Sequence, residues 1–483
     1  MTELLDMDAS TLAEKIRAGE ITSAEAVEGY IRHIERVNPH IRAVVETRFD
    51  EARREAEERD RLLQEGKARG RLWGVPISMK EAFFVKGMHT TGGLPHRRGA
   101  VDAADAEIVR RLKEEGAIIL GKTNTPALCY CQETENTLFG RTNNPWDLSR
   151  TAGGSSGGEG ALIAVGGAAV GIGSDIGGSI RFPAHFNGVI GFKSGNRQVS
   201  LAGAFPDVKE PHQVSMFGIG ALAKSVKDAE KIHAILAFQK PPSVDIDAYR
   251  LVVPPPHPDA PVGEETAELL EAIRSEFASG SLTVMPPFFE QAALMWQWIM
   301  SVDGGEELVR LCGEKGFSGI LRQYLKGRFK MRVQLHPYLT WALLGTRLFR
   351  PSKKEWIQLR DQLRKGEEEV KKFLQNRVLV FPVYHCAAPE HGKVYGEIFS
   401  IRKTFLRYLP YVAYANTFGL PSLTIPVGTD RSGLPIGLQL ITAVGQEDAL
   451  FQWGRRVESA FRGYVRCKKY DAEVRDERGR NVS

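Results

Sequence analysis

The residues of this 483-residue chain that could do chemistry are concentrated in one glycine-dense tract, Gly153 to Pro183: GGSSGGEGALIAVGGAAVGIGSDIGGSIRFP. Gly153 to Gly195 holds 14 of the 49 glycines, and glycine is about 10% of the chain against an average near 7%. Three chemistries compete for the motifs in and near this tract. Gly116 to Thr123 (GAIILGKT) matches the phosphate-loop pattern GxxxxGK[ST]. Its four middle residues spell a strand, however, and Pro126 follows closely, so no loop exists to wrap a phosphate. Gly153-Gly-Ser155-Ser-Gly157 matches the GxSxG nucleophile elbow, which needs a strand before it and a histidine and an acid after it. The preceding Asn143 to Asp147 is turn sequence, and nothing singles out a later histidine such as His385.

The third chemistry uses the whole tract. Ser156 and Glu159 have the spacing of a capping box, which predicts a helix from Gly157 to about Val165 with its N-terminus at Ser155. Ala168 to Gly173 reads as a buried strand, and Asp175-Ile176-Gly177-Gly178-Ser179 as a tight turn feeding a second helix. Successive N–H groups in such a turn form an anion-binding nest, which is what an oxyanion requires. Between Thr151 and Phe192 only Glu159, Asp175 and Arg181 carry charge. The region is therefore expected to be buried, with Asp175 and Arg181 as partners. A glycine-rich packing seam without chemistry is the alternative at this level.

The elements around the tract read as α/β. Thr11 with Glu14 and Thr22 with Glu25 are capping-box pairs opening amphipathic helices, the second ending near Asn38-Pro39. Leu72 to Met79 is a short apolar strand closing on Lys80, Ala104 to Glu115 a helix, and Ala117 to Leu120 a buried strand. Seven of the 25 prolines lie between Gln239 and Pro261, which reads as a connector rather than core. Beyond it, Glu264 to Phe277 and Glu355 to Phe373 have helical patterns, and strands return at Val378 to Val383 and Ser422 to Val427. Helices alternating with short apolar strands predict an α/β fold. One domain over 1–483 is expected. It comprises a helical region 1–70, a catalytic core 72–238, a connector and helical substrate-side region 239–375, and the rest of the core at 376–470.

Ordinary hydrophobic (42%) and charged (25%) fractions exclude disorder, collagen and coiled coils. Five cysteines without a CxxC suit free thiols in a reducing compartment better than a disulfide scaffold. No signal peptide is evident at the acidic N-terminus. Outside the glycine tract, the uncharged apolar stretch Val333 to Thr346 is too short to span a bilayer and contains Pro337, so a soluble, cytoplasmic protein is expected. The net charge of +5 conceals ten basic and no acidic residues from Lys315 to Lys354, interleaved with aromatics. A solvated helical face and an anionic membrane surface both fit that segment. No nucleic acid is expected, because no binding module accompanies the charge.

These residues resemble the amidase signature family over essentially the whole chain, and the fatty acid amide hydrolase branch most. The resemblance rests on GVPISMK80E, Gly116 to Pro126 (GAIILGKTNTP), the tract itself, Ala388-Pro-Glu-His391, Asn416 to Pro421 (NTFGLP) and Gly433 to Gln439 (GLPIGLQ). One departure is Lys80-Glu81 where the family more often has Lys-Asp. The resemblance implies a single α/β/α domain with a twisted mixed sheet covered by helices. It implies a Ser–Ser–Lys triad with Ser179 as nucleophile, Ser155 as the bridging serine on a cis peptide, and Lys80 as base. It further implies an oxyanion hole at the N–H groups of Ile176, Gly177, Gly178 and Ser179, with Ser156, Asp175 and Arg181 in support. A lysine of ordinary pKa is neutral in only about one molecule in 2,500 at pH 7, so Lys80 is expected to be buried and its pKa lowered. The implied reaction is hydrolysis of a small, hydrophobic carboxylic amide, fatty acyl or aryl, without metal or cofactor. A glutamine-hydrolysing amidotransferase component, an esterase or carbamate hydrolase on the same triad, and a catalytically silent interaction protein are the rivals. Peripheral membrane contact through 315–354 and homodimerisation stay open.

Overall fold

A computed structural model describes residues 2–399 and 402–471. Its framework is one eleven-stranded mixed sheet. In chain order the strands are β1 (Val44–Thr47), β2 (Pro76–Lys80), β3 (Ile118–Thr123), β4 (Val170–Asp175), β5 (Ile190–Lys193), β6 (Gly218–Ala223), β7 (Arg250–Val252), β8 (Ser281–Leu282), β9 (Arg377–Pro382), β10 (Ser422–Thr429) and β11 (Pro435–Ile441). Their spatial order is β1-β3-β2-β4-β6-β5-β10-β11-β9-β7-β8. β2 lies between β3 and β4 and is parallel to both, whereas β5, β6, β10 and β11 pair antiparallel. Every residue of β2, β3 and β4 is buried, as strands covered on both faces must be. Helices supply the cover. Gly157–Ala164 packs on β2, β4 and β6, Arg181–Asn187 on β5, β10 and β11, and Glu447–Ala460 on β10.

The sequence expectations hold in type and shift at several boundaries. Thr22 and Glu25 form both bonds of their capping box, but the helix runs to Ile41 with Pro39 in its last turn. The Thr11/Glu14 pair is not a cap. Asp8 is the N-cap, and its carboxylate accepts the Thr11 N–H at 2.7 Å, so Thr11 already lies inside the first turn. The Leu72 to Met79 strand begins only at Pro76, because Gly74 turns the chain at positive φ. The strand predicted to end at Leu120 continues through Lys122 and Thr123, so the phosphate-loop pattern is extended chain. There the Lys122 ammonium pairs with buried Asp102 at 2.8 Å.

The proline-rich connector requires a larger correction. Leu251, Val252 and Val253 within it are fully buried, and β7 joins the sheet by pairing parallel to β8 and β9. Prolines 254–256 follow the strand rather than interrupt it, which is where a residue without an N–H donor is tolerated. The basic segment folds as two helices, Phe317–Arg328 and Pro337–Leu348. Among the described residues no helix is long and apolar enough to cross a membrane. All five cysteines are free thiols.

Candidate active site

Parallel strands deliver their carboxyl ends to the same edge of a sheet, and clefts form there. β2 ends at Lys80 and its parallel neighbour β4 ends at Asp175, in register through Met79 and Ile172. Lys80 is wholly buried. Its Nζ donates to Ser155 Oγ at 2.6 Å and to Ser174 Oγ, on β4, at 3.1 Å. Burial holds the lysine pKa below its ordinary value, against the opposing pull of the nearby Cys129 thiol and the Asp175 and Glu159 carboxylates.

Ser155 reaches Lys80 from a backbone that only glycine could precede. The Gly154–Ser155 peptide is cis, and a Cβ on Gly154 would stand 2.7 Å from the backbone N and O of Glu133. The Gly157–Ala164 helix follows as expected, but the predicted Ser156/Glu159 capping box does not form. Glu159 is buried and accepts hydroxyl hydrogen bonds from Ser78 (2.5 Å) and Thr123 (2.8 Å), stitching the helix to β2 and β3. Desolvation pushes its carboxyl up to about 7, although both hydroxyls favour the charged form. Ser156 turns its hydroxyl to the Ser174 carbonyl at 3.3 Å, while its N–H donates to the Ser179 carbonyl at 3.0 Å. Ser155 and Ser179 are thus held together through their backbones. Among the described residues no side-chain hydrogen bond joins them, and such contacts commonly tighten only when substrate is bound.

The turn after β4 is organised by Asp175, which accepts the N–H groups of Gly178 (2.8 Å) and Ile180 (3.1 Å). This corrects the expected nest of four donors: Gly178 is committed to the carboxylate. The N–H groups of Ile176, Gly177 and Ser179 find no protein acceptor among the described residues. Gly178 itself has φ +94° and contacts Phe182 and Val412 so closely that a Cβ would fall within 2.7 Å of them. The expected Asp175–Arg181 pair is present at 3.0 Å with both side chains inaccessible to solvent. Burial alone would raise the Asp175 pKa, but the Arg181 charge and hydrogen bonds hold it well below the carboxylate range. Arg181 also donates to Gln439 Oε1 (2.8 Å), the Val412 carbonyl (2.9 Å) and Asn416 Oδ1, and Asn416 donates to Asp175 at 2.9 Å. Both C-terminal motifs therefore end at this pair.

Four of the residues that shape the site had no assigned role in the sequence. Gln132 Nε2 donates to the Gly177 carbonyl at 3.1 Å, and Trp296 Nε1 to the Ile176 carbonyl at 2.7 Å. Asn416 and Gln439 lie in the C-terminal motifs, whereas Gln132 and Trp296 belong to no local pattern. His385, the histidine an elbow-type hydrolase would need, instead meets Glu397 at 3.0 Å and lies against the Tyr408 ring, tilted by 33°. Beside Trp296 opens an apolar cavity of about 340 Å³, whose walls include Tyr130, Trp341, Phe349 and Phe405 and whose rim includes Leu348.

A buried lysine bonded to a serine on a glycine-rich tract is an arrangement that can be compared with known proteins. A family model described as Amidase matches residues 25–451. The chain belongs to the amidase family. This amidase is 32% identical to fatty-acid amide hydrolase 2-B of Danio rerio over 96% of its own length and 91% of that protein. It is 30% identical to a glutamyl-tRNA(Gln) amidotransferase subunit of a Picosynechococcus strain, covering 93% of this chain and 97% of that one. Among solved structures, 6-aminohexanoate cyclic dimer hydrolase superposes with a TM-score of 0.80 at 25% identity, over 97% of the amidase and 99% of the hydrolase. The mixed sheet covered by helices is the fold that this amidase shares with them.

Proposed function

We propose that this amidase hydrolyses carboxylic amides with hydrophobic acyl groups through an acyl-Ser179 intermediate. The observation that carries the reading is the 2.6 Å contact between wholly buried Lys80 and Ser155, set beside a turn with three N–H donors that are free among the described residues. When Lys80 is neutral, Ser155 donates its proton to Nζ and can accept one from Ser179 as Ser179 Oγ attacks the substrate carbonyl. The negative oxygen of the tetrahedral intermediate lies toward the Ile176, Gly177 and Ser179 N–H groups. The relay run in reverse protonates the amine, the C–N bond breaks, and the acyl group stays on Ser179. Water then attacks the ester by the same route and frees the acid. Ser156, Asp175 and Arg181 hold the geometry rather than exchange protons.

Lys80→Ala tests the base. In the wild type, activity should rise with pH as the lowered Lys80 pKa is crossed and then level off, since the neutral form is the active one. The variant should lose at least about 10²-fold at pH 7 and regain part of it under alkaline conditions, where hydroxide substitutes for the amine. A rate–pH profile identical to wild type would remove Lys80 from the mechanism.

The apolar cavity and the relatives named as fatty-acid amide hydrolases support an acyl substrate over glutamine, whose polar end would find few partners there. The helical pair bearing the basic segment supports an approach from an anionic lipid surface. Phe329 and Leu348 are 75% and 78% exposed, and Leu321, Leu325 and Met331 are exposed beside Lys326, Arg328 and Lys330. A cation near such a surface contributes about 1 kcal/mol. Replacing Lys326, Arg328 and Lys330 together by Gln should therefore weaken sedimentation with phosphatidylserine vesicles by about 100-fold. Equal sedimentation of the triple variant, or equal binding to neutral vesicles, would count against the lipid-surface role.

A further inference from the structure

The turn from Ile176 to Ser179 presents donors because its carbonyls are held from behind. In a trans peptide the C=O and N–H point opposite ways. The Trp296 bond to the Ile176 carbonyl at 2.7 Å therefore directs the Gly177 N–H away from the indole. The Phe182 N–H does the same for Ser179 by donating to the Gly178 carbonyl at 2.8 Å. Gln132 secures the Gly177 carbonyl at 3.1 Å. Trp296 differs from these other anchors in having a second working surface. Its ring packs on Gly177 so tightly that a Cβ there would come within 2.7 Å of Cζ2. It also forms a wall of the 340 Å³ apolar cavity, in ring contact with Phe405 at 5.9 Å.

The geometry points to Trp296 as a positioning residue that couples filling of the cavity to alignment of the Gly177 N–H. An acyl chain long enough to reach the indole presses it onto Gly177 and onto the Ile176 carbonyl. A short acyl group leaves that wall free to move. Chain length then raises kcat as well as lowering KM, because a better-held donor acts on charge that develops only in the transition state. This inference rests on the oxyanion reading of the turn given above.

The test is an acyl series from acetyl to decanoyl on one aryl amine, measured for wild type, Trp296→Phe, Gln132→Met and Ser179→Ala. Trp296→Phe keeps an aromatic wall and loses the N–H. Wild-type kcat should rise at least about tenfold along the series. In Trp296→Phe, kcat for the longest chain should fall about 10- to 100-fold, and its dependence on length should flatten while KM still drops. Gln132 holds the peptide whose N–H is committed to Asp175 and does not line the cavity, so whatever loss Gln132→Met causes in kcat should be the same at every length. A Trp296→Phe kcat within twofold of wild type, a loss confined to KM, or a loss uniform across lengths would overturn the coupling. If Trp296→Phe fails to fold, a wild-type kcat independent of length overturns it equally, and a rising one with a uniform Gln132→Met loss upholds it. Activity retained in Ser179→Ala would sink the acyl-Ser179 reading on which the oxyanion assignment rests, whereas an inactive Ser179→Ala beside a normal Trp296→Phe sinks only the coupling.

Discussion

Ser179→Ala should lower turnover of an acyl amide by roughly 10³- to 10⁶-fold, the range seen when a hydrolase loses its nucleophile. The fold should survive the change. The Ser179 hydroxyl makes no hydrogen bond among the described residues, alanine fits in the space vacated, and the turn is held by Asp175, Trp296 and the Ser156 N–H. Loss of rate without loss of melting temperature is therefore the expected signature. A fluorophosphonate should label the wild type on Ser179 and leave the variant unlabelled. A probe adduct found on Ser155, with Ser179→Ala still turning over at a rate near wild type, would reverse the two serines' roles.

Arg181→Met should have the largest effect on stability. Arg181 and Asp175 are both shut off from water, and removing one partner of a buried pair costs about 3–5 kcal/mol because a charge is left unpaired. The urea midpoint should fall accordingly. The pH dependence should change in a defined direction. Asp175 has its folded pKa held below 3.8, so it contributes stability that is present above the unfolded value and lost as pH falls through the folded one. Without Arg181 the folded pKa rises and the acid-sensitive limb moves to higher pH. Asp175→Asn combined with Arg181→Met should cost less than the sum of the single changes. A single-variant loss below about 1 kcal/mol would mean that Asn416 and the turn N–H groups satisfy Asp175 unaided.

The Asp175–Arg181 pair was legible in the sequence because it stood almost alone as charge in a tract otherwise without any. Burial followed from that isolation, and pairing from burial. Lys80 was different: as one lysine ending an apolar strand it could have been a surface residue, and only the family resemblance singled it out. Ser156 and Glu159 show the opposite error. Their spacing is right for a cap, but the pattern does not register that better hydroxyl donors wait on β2 and β3. Gln132 and Trp296 were invisible for a simpler reason, since what they do is set by contacts 45 and 120 positions away along the chain. β7 was hidden by its prolines, whose count said loop while three consecutive aliphatic residues before them said strand.

The reach of Arg181 bears on how the protein is made. Its partners Asn416 and Gln439 lie 235 and 258 residues downstream. At a synthesis rate of 5–20 residues per second, the ribosome needs about 13 to 50 s to supply the second of them after Arg181 emerges. Throughout that interval the nascent chain holds both serines, Lys80, Asp175 and the glycine turn, yet lacks part of the hydrogen-bonding set that the buried guanidinium uses beyond its charge partner. Competence thus arrives late, so that fragments released early should neither accept an acyl group nor turn substrate over.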